Sequence, residues 1–97
     1  MLIVRETFIA KPGHAGHFAK MMREEMNKWG GFKGYVMLDY VARYNKIVVE
    51  YELSNLADFE KMMDDYKKEQ SQKESKEPPE YTQYYLTGKR EIYKIVE

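Results

Sequence analysis

The chain contains no cysteine, so a disulfide, a thiolate nucleophile and a cysteine–zinc site are all excluded. It also lacks an excess of either charge, with 16 Lys and Arg against 16 Asp and Glu. A nucleic-acid binder carries a basic surplus or stripe, so nucleic acid is not an expected partner. No apolar run approaches the roughly 20 residues a membrane-spanning helix needs. The opening Met1-Leu2-Ile3-Val4-Arg5-Glu6 is apolar for four residues and then charged, which is too short for a signal peptide. A cytoplasmic location, away from the membrane, is the expectation. Missing too are a glycine-rich phosphate loop, a dinucleotide fingerprint and a convincing Ser–His–Asp order. With 97 residues there is room for a single domain, residues 1-97, whose core is thin enough to gain from oligomerisation.

What is present is patterned. Leu2 to Ala10 is rich in β-branched and aromatic residues and reads as a strand, broken by Lys11-Pro12-Gly13. From His14 the period changes: Ala15, Phe18, Met22, Met26 and Trp29 recur every three or four residues, one apolar helical stripe stopped by Gly30-Gly31. Tyr35 to Ala42 and Lys46 to Leu53 read as a hairpin around Arg43-Tyr44-Asn45. Setting Ala42 opposite Ile47, Tyr40 opposite Val49, Leu38 opposite Tyr51 and Val36 opposite Leu53 gives one apolar face. Ser54-Asn55 is a helix N-cap signal, followed by Leu56, Phe59, Met63 and Tyr66 at helical spacing. Lys67 to Glu77 has no apolar residue and is expected to be mobile or a solvated helix extension. Glu80 to Leu86 suggests a short helix capped by Gly88, and Arg90 to Val96 a last strand.

The order β-α-β-β-α-(short α)-β, with right-handed crossovers, predicts a ferredoxin-like α+β fold: a four-stranded antiparallel sheet with two helices on one face. The other face would carry Met37, Val41 and Val48 among acids, and the first strand is apolar on both faces. Such a surface suits a second sheet better than water, so a homodimer is expected.

Three constellations could carry chemistry. His14 and His17, three apart at a helix start, could hold a metal, but zinc needs a third protein ligand and none is near; no metal site is predicted. Asp39, Glu50 and Glu52 would share a sheet face, either as an acid–base group or as an interface ion-pair network with Arg5. Seven Met, nine Tyr and four Phe are unusually many polarisable and polar-tipped side chains for a core this small. They could line a ligand pocket, or simply fill the interior. If a pocket exists, its lining is expected from Phe18, Met22, Tyr40, Tyr51, Phe59 and Met63, with Tyr84 or Tyr85, with Thr7 at the edge if odd positions of the first strand face the helices, and with Trp29 closing one end.

In these features the chain resembles the dimeric α/β-barrel superfamily. The shared pattern is the first strand, the turn Lys11-Pro12-Gly13, an amphipathic helix, the Glu-aromatic strand Val48-Val49-Glu50-Tyr51, and Ser54 to Phe59 opening the second helix. It is similar to the antibiotic biosynthesis monooxygenase-like, stress-responsive Dabb and NIPSNAP-like branches, and weakest over Lys67–Pro79. The resemblance implies a homodimer that binds a small apolar or aromatic molecule between sheet and helices without a cofactor. It leaves open a cofactor-independent monooxygenase or cyclase, and a purely structural module. Haem-degrading members carry an Asn, a Trp and a His; Thr7 and Leu53 stand at or near the first two positions, and no His follows His17, so haem is not expected.

Overall fold

In a computed structural model that describes residues 1–28, 33–71 and 80–96, the strands β1 (Leu2–Ala10), β2 (Gly34–Leu38), β3 (Lys46–Leu53) and β4 (Tyr85–Lys94) form one sheet in the order β2-β3-β1-β4. All three pairings are antiparallel. The helices α1 (Ala15–Lys28) and α2 (Leu56–Ser71) cover one face. This is the ferredoxin-like α+β fold, with β1 and β3 central as its two crossovers require.

The β1–α1 turn is set by Gly13, whose φ of 82° lies in the left-handed region, and by a hydrogen bond from His14 N–H to the Lys11 carbonyl. The even positions of β1 turn toward the helices: Val4 and Ala10 are buried there with Ile47, Val49, Tyr51 and Leu53 of β3 and Phe18 and Met22 of α1. The odd positions Ile3, Arg5, Thr7 and Ile9 therefore lie on the open face, and Thr7 is not at the edge of the helix-covered side.

The hairpin differs from its sequence-based register. Leu38 pairs with Ile47, Val36 with Val49 and Gly34 with Tyr51, a slip of four residues from the expected alignment. Asp39 is the reason. Its carboxylate accepts the backbone N–H groups of Val41 and Ala42, at 3.1 and 2.9 Å, and this side-chain-closed turn ends β2 at Leu38. Asp39 stands beside Lys46, not Glu50, and Val41 belongs to the loop rather than to the open sheet face. Tyr40, expected to point between sheet and helices, is 96% exposed in that loop.

α2 begins as expected. Asn55 Oδ1 accepts the Asp58 N–H at 2.9 Å, an N-cap bond. The helix runs on through Lys67, Lys68 and Glu69, all exposed, so this part of the polar stretch is a solvent-facing extension; residues 72–77 lie outside the described ones, as do Trp29 and Gly30-Gly31. The segment after it also departs from expectation. Only Glu80–Gln83 forms a short 3-10 turn, and β4 starts at Tyr85, five residues before Arg90. Gly88 is a strand residue opposite Phe8, where a Cβ would come within 3.1 Å of the Phe8 ring, and not a helix cap. Among the described residues no helix is long and apolar enough to cross a membrane.

Candidate functional site

The two helices cover the sheet unequally. α1 sinks Phe18 and Met22 into the core, whereas among the described residues α2 contributes no fully buried side chain. Its apolar stripe of Phe59, Met62, Met63 and Tyr66 is only half-buried. Between this stripe, α1 and the sheet lies a cavity of about 240 Å³. One wall is methionine from both helices: Met22, Met26, Met62 and Met63. The rest of the apolar lining is Phe8, Val49, Tyr51 and Tyr85 on the sheet and Tyr66 on α2. Thioether chains adapt to irregular apolar contents, and aromatic walls suit a flat ligand.

The polar part of the wall is Glu6, Arg90 and Glu25. Glu6 on β1 and Arg90 on β4 face each other across the sheet register. Arg90 Nε donates to Glu6 Oε1 at 2.7 Å, and Nη2 stands 2.6 Å from the same oxygen. The Arg90 guanidinium also lies over the Phe59 ring at 5.3 Å, so one side chain joins β4 to α2 at the rim of the cavity. Glu25 is turned to Lys28, with the Lys28 Nζ donating at 3.1 Å. Burial, and then the negative charge of Glu6, hold the Tyr51 hydroxyl well above its ordinary range, while Arg90 pulls it down less strongly. Tyr51 therefore stays a phenol at neutral pH and is not a phenolate base.

Of the residues singled out from the sequence, Met22, Tyr51, Met63 and Tyr85 line the cavity. Phe18 is fully buried behind it, edge-on to Phe8 and Tyr85 at 5.1 and 5.5 Å. Phe59 sits under Arg90 at its rim. Tyr84 is elsewhere, with its ring 4.9 Å from His17 and 5.4 Å from His14. Thr7 is on the opposite sheet face, Tyr40 is in solvent, and Trp29 lies outside the described residues. Sequence reasoning missed Glu6 and Arg90. Their pairing joins residues 84 positions apart, and only the register of β1 against β4 shows it. His14 and His17 gain no third ligand: among the described residues no group of three or more His, Asp or Glu is placed to hold a metal ion.

The open face of the sheet carries its own network. Arg5 Nε donates to Glu50 Oε2 at 3.0 Å and its guanidinium lies over the Tyr93 ring at 5.3 Å. The Tyr93 hydroxyl donates to Glu91, and Lys89 stands 3.7 Å from the same carboxylate. Of the carboxylates expected to share this face, Asp39 closes the hairpin turn instead, Glu50 pairs with Arg5, and Glu52 stands opposite Ile3 in the register; Glu91, held by Lys89 and Tyr93, is not among those singled out from the sequence. Tyr35, Met37 and Tyr93 add exposed apolar surface around them.

No family model matches the chain, and no curated protein matches it in sequence. Solved structures do resemble it. An uncharacterized NIPSNAP domain protein from Burkholderia xenovorans superposes with a TM-score of 0.73 at 11% identity, over 99% of this chain and 95% of that one. A NIPSNAP family protein from Agrobacterium tumefaciens gives 0.72 at 12% identity, over 100% and 95%. A candidate antibiotic biosynthesis monooxygenase from Deinococcus radiodurans gives 0.63 at 16% identity, over 100% and 94%. The chain therefore has the fold of NIPSNAP-domain and antibiotic biosynthesis monooxygenase-like proteins, the fold its sequence resembles. At these identities the likeness is one of architecture, which hosts many functions.

Proposed function

We propose that the chain is a cytoplasmic, homodimeric α/β-barrel protein that binds a small, largely apolar or aromatic molecule between α2, α1 and the sheet. The observation that carries this reading is the cavity itself. A core of this size normally closes its helices onto the sheet, because each void forfeits contacts. Here four methionines and four aromatic rings line a half-open space of about 240 Å³. That supports binding over a module whose only task is pairing.

Dimerisation draws its support from the opposite face, where Met37 and Val48 stand opposite each other beside the Arg5–Glu50 pair. Ion pairs ringed by apolar side chains suit a covered surface. A cofactor-independent monooxygenase or cyclase is the second reading. It rests on the protonated Tyr51 beside Glu6, and on the name of one structural neighbour.

The test is extraction of the purified protein with organic solvent followed by mass spectrometry. The wild-type chain should release an apolar molecule in amounts comparable with the protein, and Met63→Trp, which fills the cavity, should release none. Equal or empty extracts from both would refute the reading.

A further inference from the structure

Among the described residues the cavity wall has one cation, Arg90, and two carboxylates, Glu6 and Glu25. Arg90 is already committed: both its Nε and Nη2 are directed at Glu6 Oε1, within 2.7 Å. Glu25 is neutralised from outside by Lys28, which does not line the cavity. An entering anion would have to share Arg90 with Glu6, whose side chain is only 17% exposed, and would set a further negative charge in a wall that already holds more carboxylates than cations. An entering donor meets the reverse situation. A carboxylate has two oxygens and about four lone-pair sites, so Glu6 can hold Arg90 through one oxygen and still accept from a ligand O–H or N–H. Hydrogen bonds to an ionised acceptor are roughly twice as strong as neutral ones. The rest of the lining is thioether, aromatic and Val49, which reward flat apolar area.

We propose that the cavity selects uncharged, flat apolar molecules carrying one O–H or N–H donor, accepted by Glu6, and excludes carboxylates. This rests on the cavity being a ligand site, and it adds the class of ligand. Arg90 acts here as a positioning residue. It holds the Glu6 carboxylate in the wall while its own stacking on Phe59 ties that wall to α2.

Three probes of one size test it: naphthalene, 2-naphthol and 2-naphthoate. Binding to the full chain at pH 7 is followed by intrinsic tyrosine fluorescence and confirmed by calorimetry. The naphthol should bind at least tenfold more tightly than naphthalene, and the naphthoate at least tenfold more weakly. In Glu6→Gln, which keeps the side chain's shape, the naphthol should fall to within about threefold of naphthalene. The naphthoate should gain, because Arg90 has lost its carboxylate; thermal melting checks that the variant is folded. Naphthalene and naphthol binding equally to wild type would overturn the donor inference and leave the cavity reading standing. Tightest binding by the naphthoate would overturn it in sign and make Arg90 the recognition group. Binding by none of the three would overturn the cavity reading and this inference with it.

Discussion

Gly34 leaves no room for a side chain in the sheet. A Cβ there would lie 2.6 Å from the Glu50 carbonyl oxygen, 2.9 Å from Tyr51 Cβ and 3.2 Å from Met26 Cε. The first of these is backbone of the paired strand and cannot move without opening the hairpin. Gly34→Ala should therefore cost about 1–3 kcal/mol, the usual range for overpacking, read from chemical denaturation; a neutral result would mean β2 is not held against β3 in this register. Asp39 is informative in another way. The N–H groups of Ala42 and Val41 hold its carboxyl below its ordinary value of 3.8. A lowered folded pKa contributes stability that is complete above that ordinary value and is lost as the pH falls through the folded one. Thermal melts between about pH 2 and 5 should show Asp39→Asn losing less stability in acid than wild type, since the amide oxygen keeps the turn but does not titrate. Parallel acid limbs for the two proteins would contradict this. At the same scale, Glu6 shows what a sequence conceals. A single acid within an apolar strand looks like a solvent-facing position, and nothing local announces that Arg90 will meet it on the helix side.

Elements were more legible than their alignment. The strands, both main helices and the N-cap follow from periodicity and turn chemistry. The register of β2 against β3 does not, and the reason is geometric: a strand's faces alternate every two residues, so any even slip leaves the apolar set together. The expected and observed alignments differ by four residues and are equivalent by pattern. The decision fell to one turn residue, Asp39, and to the crowding at Gly34. β1 posed the same problem in another form, because it is apolar on both faces. α2 is the element on which the proposed function turns, since its apolar stripe is only half-buried. With so little packing to hold it, its cap should matter. Asn55→Ala removes the acceptor for the Asp58 N–H and should cost about 0.5–2 kcal/mol. Hydrogen exchange should place that loss in α2 first; uniform loss across the sheet would contradict an independently lifted helix.

At the scale of the whole molecule, the proposed function gives the two faces of one sheet different work: the covered face to a ligand, the open face to a second copy. The assignments can be separated. Val48 lies on the open face between Met37 and Thr7, away from the cavity. Val48→Lys should leave the fold intact but bury an unpaired charge in any dimer. Sedimentation at micromolar concentration should then show a dimer for wild type and a monomer for the variant; a monomeric wild type would refute the pairing. The proposed ligand would supply the contacts that the half-buried stripe of α2 lacks. Native mass spectrometry of the gently purified protein addresses that most directly. Each wild-type chain should carry a noncovalent small-molecule adduct, and Met63→Trp, folded and with its stability lowered by no more than about 1–3 kcal/mol, should carry none; a bare wild-type chain, or the same adduct on both proteins, would contradict the ligand reading.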